Sequence, residues 1–346
     1  LLVFFVYAMR RVDCSRCGVT VEKVPWATGK KHLTTTYAWF LATWAKRMTW
    51  TDVARAFRTS WDTVFRAVET AVEWGLSRRD LTNVRSIGVD EIALRKGHRY
   101  VTLVYQIDEG FRRLLWIGKH RRVKTMVRFF RWLGHRGRAR LEFVCSDMWK
   151  PYTDVIARRA KGAINVLDRF HIMAHFSKAI DKVRAGEARV MRQDGYEPIL
   201  KRSRWCLLKR PENLTEKQEA KLSELLQYNL KSVRAYLLKE DFQGFWEYVS
   251  PAWAGKFLDR WCTRTMRSQL EPMKRVAKML RNHREQILNW FHAKGRVSAA
   301  AVEGMNGKAK VTTRRSYGFR GYRTASVALY HTLGDLPEPE VTHSFC

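Results

Sequence analysis

The sequence predicts a mixed α/β core interrupted by a long helical segment and preceded by short N-terminal modules. Three observations carry that expectation. Between Ser86 and Leu167, short runs rich in Val, Ile and Leu alternate with turn residues and helical patterns. From Phe170 to about Gly295 strand signals largely vanish, and Pro198, Pro211, Pro251 and Pro272 punctuate helical periodicity. The 346 residues exceed the roughly 150 of an average domain, which calls for two domains or one core with a large insertion.

Taken in order, residues 1–32 form the first module, with Cys14-Ser15-Arg16-Cys17-Gly18 in a turn-like setting. Residues 33–80 follow with helical spacing broken near Met48 and Thr59. Thr51 is expected to cap a helix through Phe57, and Ser60 a second helix through about Trp74, across the turn Arg58-Thr59-Ser60. This is a helix-turn-helix pattern, whose second helix would show Trp61, Asp62, Thr63 and Arg66 to a DNA major groove. A plain pair of core-packed helices reads the same pattern.

Ser86–Leu94, Tyr100–Ile107 and Leu114–Ile117 predict three antiparallel strands, with hairpin turns at Lys96-Gly97 and Asp108-Glu109-Gly110. Val123–Leu133 reads as a helix, Leu141–Cys145 as a fourth strand ending at Ser146-Asp147, and Pro151 as the start of another helix. Ile164–Leu167 is a fifth strand ending at Asp168. Glu216–Leu238 is the clearest later helix. A last helix from Val297, capped by Ser298, runs into the basic stretch Lys308–Arg323, and the tail after Pro337 is expected to fray.

Lys and Arg number 65 against 33 Asp and Glu, for a net charge of +32. Such an excess points to a polyanion, nucleic acid ahead of an acidic membrane surface. A hydrophobic fraction of 46% excludes a wholly disordered basic tail. No apolar run approaches the ~18 residues of a membrane span, and Leu1–Met9 is too short and unflanked for a signal peptide. Of the six cysteines only Cys14 and Cys17 are closely spaced, which makes no disulfide framework and fits a reducing compartment.

Three acids stand out by position: Asp90 in the first strand, Asp147 after the fourth, and Glu303 on the late helix. Carboxylates from adjacent strands and a packed helix can hold two divalent cations about 3.5–4 Å apart, and magnesium prefers such oxygen ligands. Plain surface acids are the alternative. Glu91 should point away from Asp90, because neighbouring strand residues face opposite ways, and is expected to be structural or solvent-facing. Asp168 is either an accessory acid or the N-cap of the helix that starts at Phe170. His171, one turn on, either touches a phosphate or is buried and satisfied. Asn306 and Lys310 share a helical face with Glu303, and Gly304 and Gly307 permit close approach. Lys119–Arg140 holds nine Lys and Arg with no acid, including Arg121, Arg122 and Lys124. Glu303–Arg323 holds six, among them Lys308, Lys310, Arg314, Arg315 and Arg320, with Glu303 its one acid. The two runs read as a track for DNA phosphates.

The segments Ile87–Glu91, Ser146–Tyr152, Asp168–His171 and Val302–Lys308, followed by Arg314–Arg320, together resemble the DDE-type insertion-sequence transposases of the ISL-three family. The spacing fits too, with 57 residues from Asp90 to Asp147 and 156 from there to Glu303. The resemblance covers nearly the whole chain. It implies a ribonuclease H-like core in residues 81–172 and 297–336, a helical insertion in 173–296 and a tail in 337–346. It implies Asp90, Asp147 and Glu303 as ligands of two magnesium ions, for which manganese can substitute. Double-stranded DNA, as element ends and target, is the implied substrate, cleaved and joined by a homodimer or higher assembly in the bacterial cytoplasm, at the nucleoid. Cys14 and Cys17 look like half of a zinc ribbon; in the family a first pair lies upstream, and a chain opening on Leu1 is expected to lack it. His32 is a candidate third ligand. A transposase-derived regulator, a decayed remnant and a structure-directed nuclease are the competing readings.

The basic track predicts that duplex DNA affinity falls steeply between low and physiological salt, because many phosphates are neutralised together. A titration showing a flat salt response would contradict it.

Overall fold

The computed structural model describes residues 6–27, 33–95, 99–196, 199–293, 299–316, 318–319 and 321–340. His32, the Lys96-Gly97 turn, Pro198, the Ser298 cap, Tyr317 and Arg320 lie outside the described residues.

A hairpin of β1 (Arg11–Cys14) and β2 (Gly18–Val21) precedes α1 (Thr35–Arg47), α2 (Trp50–Ala56) and α3 (Trp61–Arg78). Then come β3 (Ser86–Arg95), β4 (Arg99–Asp108), β5 (Phe111–Lys119), α4 (Val123–Arg140), β6 (Phe143–Ser146), α5 (Lys150–Arg159) and β7 (Ile164–Leu167). Helices follow: α6 (Arg169–Gln193), α7 (Arg204–Leu208), α8 (Glu216–Leu226), α9 (Lys231–Gln243), α10 (Pro251–Met266), α11 (Glu271–Asn282) and α12 (Arg284–Ala293). The last are α13 (Ala299–Arg315) and α14 (Tyr322–Leu333). Two compact units result. Leu1–Leu81, Leu94–His98 and Gly307–Cys346 form the first; Thr82–Ala93 and Arg99–Asn306 form the second.

In the first unit α1, α2 and α3 bury Leu41, Val53, Val64 and Val68 together with Val327 of α14. The cap of α2 is Thr49, not Thr51. Its hydroxyl accepts the Asp52 N–H at 3.1 Å and donates back to the Asp52 carboxylate at 2.5 Å, so both ends of the first turn are satisfied. Ser60 caps α3 as expected, accepting from the Thr63 N–H. That helix continues past Trp74 to Arg78. Gly75 within it makes room for the C-terminal segment: a side chain there would run into Leu336. The tail is therefore packed through residue 338, where Glu338 pairs with Lys46. Arg323 grips Glu69 in a bidentate pair at 2.6 Å.

The second unit is built on a five-stranded mixed sheet in the order β5-β4-β3-β6-β7. β4 and β5 pair antiparallel, whereas β6 runs parallel to β3 and β7 parallel to β6. The short α5 makes the crossover between β6 and β7, with Pro151 in its first turn, where the missing N–H costs nothing. Phe129 and Phe130 of α4 are fully buried, as are Leu103, Val104 and Leu115 of the sheet, and Phe129 meets Trp116 of β5 at 5.7 Å between ring centroids. Gly134, at φ 73°, kinks α4 one residue after the expected end at Leu133, and the helix resumes to Arg140.

No strand occurs among the described residues between Arg169 and Ala293. The centre of this helical segment is aromatic: Phe242 meets Phe176 at 4.7 Å and Trp261 at 5.0 Å between ring centroids. Such pairs add about 0.5–1.5 kcal/mol each beyond their buried area. The single helix expected over Glu216–Leu238 is two. Glu187, projecting from α6, accepts the Lys231 and Ser232 N–H groups at 2.7 and 2.8 Å. A carboxylate on those orphan donors starts a new helix at Lys231.

Gly88 of β3 lies directly under Val302 of α13, and a Cβ there would collide with a Val302 methyl. Gly88→Ala is expected to cost about 1–3 kcal/mol by overpacking, seen as a lowered melting temperature. Adding Val302→Ala should recover part of the loss; no recovery would refute the contact.

Candidate active site

The strand register gathers the acids. Gly88 pairs with Cys145, and Cys145 with Val166. Continuing two residues along each strand sets Asp90, midway along β3, level with Asp147 and Asp168, which directly follow the neighbouring parallel strands β6 and β7. Residues level on parallel neighbours share a face. Burial raises the Asp90 pKa above the ordinary carboxylate value, the Glu91 N–H opposes this, and the negative charges of Asp168 and Asp147 add to it.

α13 closes that face. Val302 fills the space over Gly88, and one turn later the Asn306 amide donates to Asp90 Oδ2. The fully buried Tyr105 hydroxyl donates to Asn306 Oδ1 at 2.8 Å, fixing the amide's orientation. Glu303 sits on the same helix with its side chain exposed.

Asp168 serves two partners. Its Oδ1 accepts the Phe170 N–H at 2.8 Å as the cap of α6, and its Oδ2 lies 3.1 Å from His171 Nδ1. That hydrogen bond, against the penalty of burial and with the help of the surrounding carboxylates, lifts the His171 pKa to about 9. His171 is therefore a cation at neutral pH.

Glu91 lies on the opposite face, as alternation requires, but is not solvent-facing: its side chain is 8% exposed. The Arg121 guanidinium bridges it, at 3.5 Å, to Asp147, and lies 4.8 Å from the Trp149 ring centre. Burial lifts Glu91 to about 7, with Arg121 pulling it down. Tyr152 is anchored through its hydroxyl to Thr102 at 3.0 Å. The Trp149 N–H donates to Asp147 Oδ1 at 3.0 Å, so Asp147 is held from several directions.

Four acids thus face two internal cations, Arg121 and His171. The donors are hard carboxylate oxygens, and Glu91 Oε1 is buried without a hydrogen-bond partner. That donor chemistry fits a hard divalent cation. Among the described residues no three His, Cys, Asp or Glu side chains converge tightly enough to form a completed metal site.

Elsewhere, Arg122 and Lys124 are exposed at the start of α4, as are Lys308, Lys310, Arg314 and Arg315 on α13. Arg315 donates to the Arg47 carbonyl. Trp61 is 41% exposed and stacks on Phe65 at 5.5 Å, so part of its ring is committed to packing. Thr63 and Arg66 border an apolar groove beside Trp39 and Trp74. Cys14 and Cys17 close the β1–β2 hairpin with sulfurs 3.2 Å apart. The Arg16 N–H leads in lowering the Cys14 pKa, and Cys14 in turn raises that of Cys17. Sequence reasoning missed Tyr105, Tyr152 and the Glu91–Arg121 pairing. Only Tyr152, inside the segment that follows Asp147, carried a local signal.

A family model described as a transposase matches residues 87–327. The transposase for insertion sequence element IS1001 of Bordetella parapertussis is 32% identical over 314 residues, covering 90% of this chain and 76% of that protein. The transposase for insertion sequence element IS1557 of Mycobacterium tuberculosis is 31% identical over 346 residues, covering 92% and 76%.

The His171 pKa rises from 6.5 to about 9 on folding. The Asp168–His171 pair therefore stabilises fully below about pH 6.5, and its contribution fades as pH rises through about 9. Melting curves of the wild type and His171→Gln should differ most near pH 6 and converge near pH 10. A constant gap would refute a protonated His171.

Proposed function

The chain belongs to the ISL3 family of insertion-sequence transposases, and on that premise we propose that it cuts an insertion sequence from donor DNA and joins it to a target. The observation that carries this reading is the row Asp90, Asp147 and Asp168 across three neighbouring parallel strands, with α13 bonded to Asp90 through Asn306. The order β5-β4-β3-β6-β7 supports a ribonuclease H-like core, and α2 and α3 across a tight turn at Arg58, φ 49°, support a helix-turn-helix.

Asp90, Asp147 and Glu303 are the residues that would hold two magnesium ions. When bound, such ions supply electrostatic stabilisation of the attacking and leaving oxygens. The protein's own groups do the rest. Tyr105 and Asn306 hold the Asp90 carboxylate in one orientation. His171, kept cationic by Asp168, is placed to hydrogen-bond a phosphate oxygen. Arg121, released from Asp147 and Glu91 when other cations neutralise them, can turn to the DNA backbone. Water first attacks the phosphodiester at an element end; the freed 3′-hydroxyl then attacks the target strand. Arg122, Lys124, Lys308, Lys310, Arg314, Arg315 and Arg320 contribute phosphate contacts, and Trp61, Thr63 and Arg66 read the element end. Holding two ends together calls for a dimer or larger assembly. Zinc at Cys14 and Cys17, which supply two of the four ligands a structural site needs, belongs to the same proposal. No described helix is long and apolar enough to cross a membrane, which agrees with a place at the nucleoid in the cytoplasm.

Asp147→Asn and Glu303→Gln should each lower magnesium-dependent cleavage of DNA carrying the element ends by about a thousandfold, a loss of several kcal/mol of charge stabilisation. DNA binding should persist in both. Full cleavage by either variant would overturn its assignment, and binding without cleavage by the wild type would favour a regulator.

A further inference from the structure

The helical segment carries a basic face that the proposed site does not use. Pro251–Arg284 contains nine Lys and Arg against two acids, Asp259 and Glu271. The pattern places them together. On α10 the exposed Lys256, Arg260, Arg264 and Arg267 fall on one stripe, because spacings of three, four and seven return to the same side of a helix. α10 and α11 form an antiparallel hairpin, in which Arg281 donates to Thr263 at 3.1 Å, and Arg284, the first residue of α12, forks onto Asp259 at 3.0 Å. Arg260, Thr263, Arg264 and Arg267, with the paired Asp259, line one open depression, and the exposed Arg275 and Lys278 lie on the adjoining α11.

A run of charge is usually a solvated face, and three features set this one apart. First, the acids nearby are already engaged: Asp259 with Arg284, Asp241 with Arg264 and Glu271 with Lys274. Arg260, Arg267 and Lys278 have no carboxylate within ion-pair distance among the described residues. Second, arginine dominates, and its planar fork matches phosphate oxygens while shedding water more readily than lysine. Third, the hairpin is rigidly tied to the site. α11 packs on α6, whose first turn carries His171. His175, one turn further on, feels the charges of His171 and of His283 at the end of α11. Lys256 to Arg267 spans on the order of 16 Å, the rise of about five phosphates along one DNA strand.

We propose that the α10–α11 hairpin is a second, sequence-independent DNA-binding surface, which holds the phosphate backbone of a duplex on the helices that flank the acid cluster. This rests on the reading that the protein acts on DNA. Neither basic run recognised in the sequence includes these residues. Base edges play no part, so the surface should hold an unrelated duplex as well as an element end.

The test measures binding of an unrelated duplex by the full chain across a range of sodium chloride, without divalent cations, so that failure of the cleavage chemistry leaves it standing. The variant Arg260→Gln/Arg267→Gln/Lys278→Gln removes three exposed charges with no ion pair to break. It should weaken binding roughly tenfold or more and flatten the plot of log affinity against log salt by about two to three. The charge-preserving set Arg260→Lys/Arg267→Lys/Lys278→Arg should keep the wild-type slope. An unchanged slope and affinity in the glutamine variant overturns the proposal, as does an equal loss in the charge-preserving set, which would mark a packing effect. No duplex binding by the wild type, even at low salt, would overturn the DNA reading itself.

Discussion

Like charges set level on three neighbouring parallel strands are the constraint on which the second unit turns. Asp90, Asp147 and Asp168 line up because the β3–β6–β7 register leaves them level, and Glu91 presses in from the other face. Partly buried carboxylates this close cannot all stay ionised without cations. Two answers are built in: the Arg121 guanidinium between Glu91 and Asp147, and a histidine that stays protonated beside Asp168. In the proposed reaction both become exchangeable counter-ions that yield to metal or turn to phosphate.

The last long helix depends on the same arrangement. Val302 can lie on the sheet only because residue 88 is glycine, and that close approach brings Asn306 within reach of Asp90. Tyr105 then fixes the amide from below. A methyl group at position 88 and a carboxylate orientation two residues later are thus one structural question. Glu303 lies between the two contacts along α13 and gets its place from them.

Much of the fold was legible in the sequence. The five apolar runs became strands because their Val, Ile and Leu content and turn boundaries are local signals. What escaped was set by distant residues. The break between α8 and α9 has no proline or glycine to announce it, since its cause is Glu187, 44 residues before Lys231. The close packing of Leu336 at Gly75 joins α3 to a segment more than 250 residues away. In the site, Asp147 and Asp168 could be singled out because strand ends are predictable, and Asp90 because it is an acid inside an apolar strand. Glu91 lies on the other face, as alternation foretold, and of the two roles expected for it the structural one holds; its tie to Asp147 through Arg121 was not legible, because Asp147 sits beyond the end of its strand. Arg121 read as part of a phosphate track, and nothing in its neighbours foretold its pairing with the cluster.

The bond between Asn306 and Asp90 joins residues 216 positions apart. At a ribosomal rate of about 5–20 residues per second, roughly 10–40 s separate the synthesis of the two. For that interval the strand acids exist without the helix that orients them, so a nascent chain carries the cluster in an unfinished form. The amide contact can form only once α13 has been made, which ties the appearance of an ordered site to the synthesis of a helix far downstream of the strand that needs it.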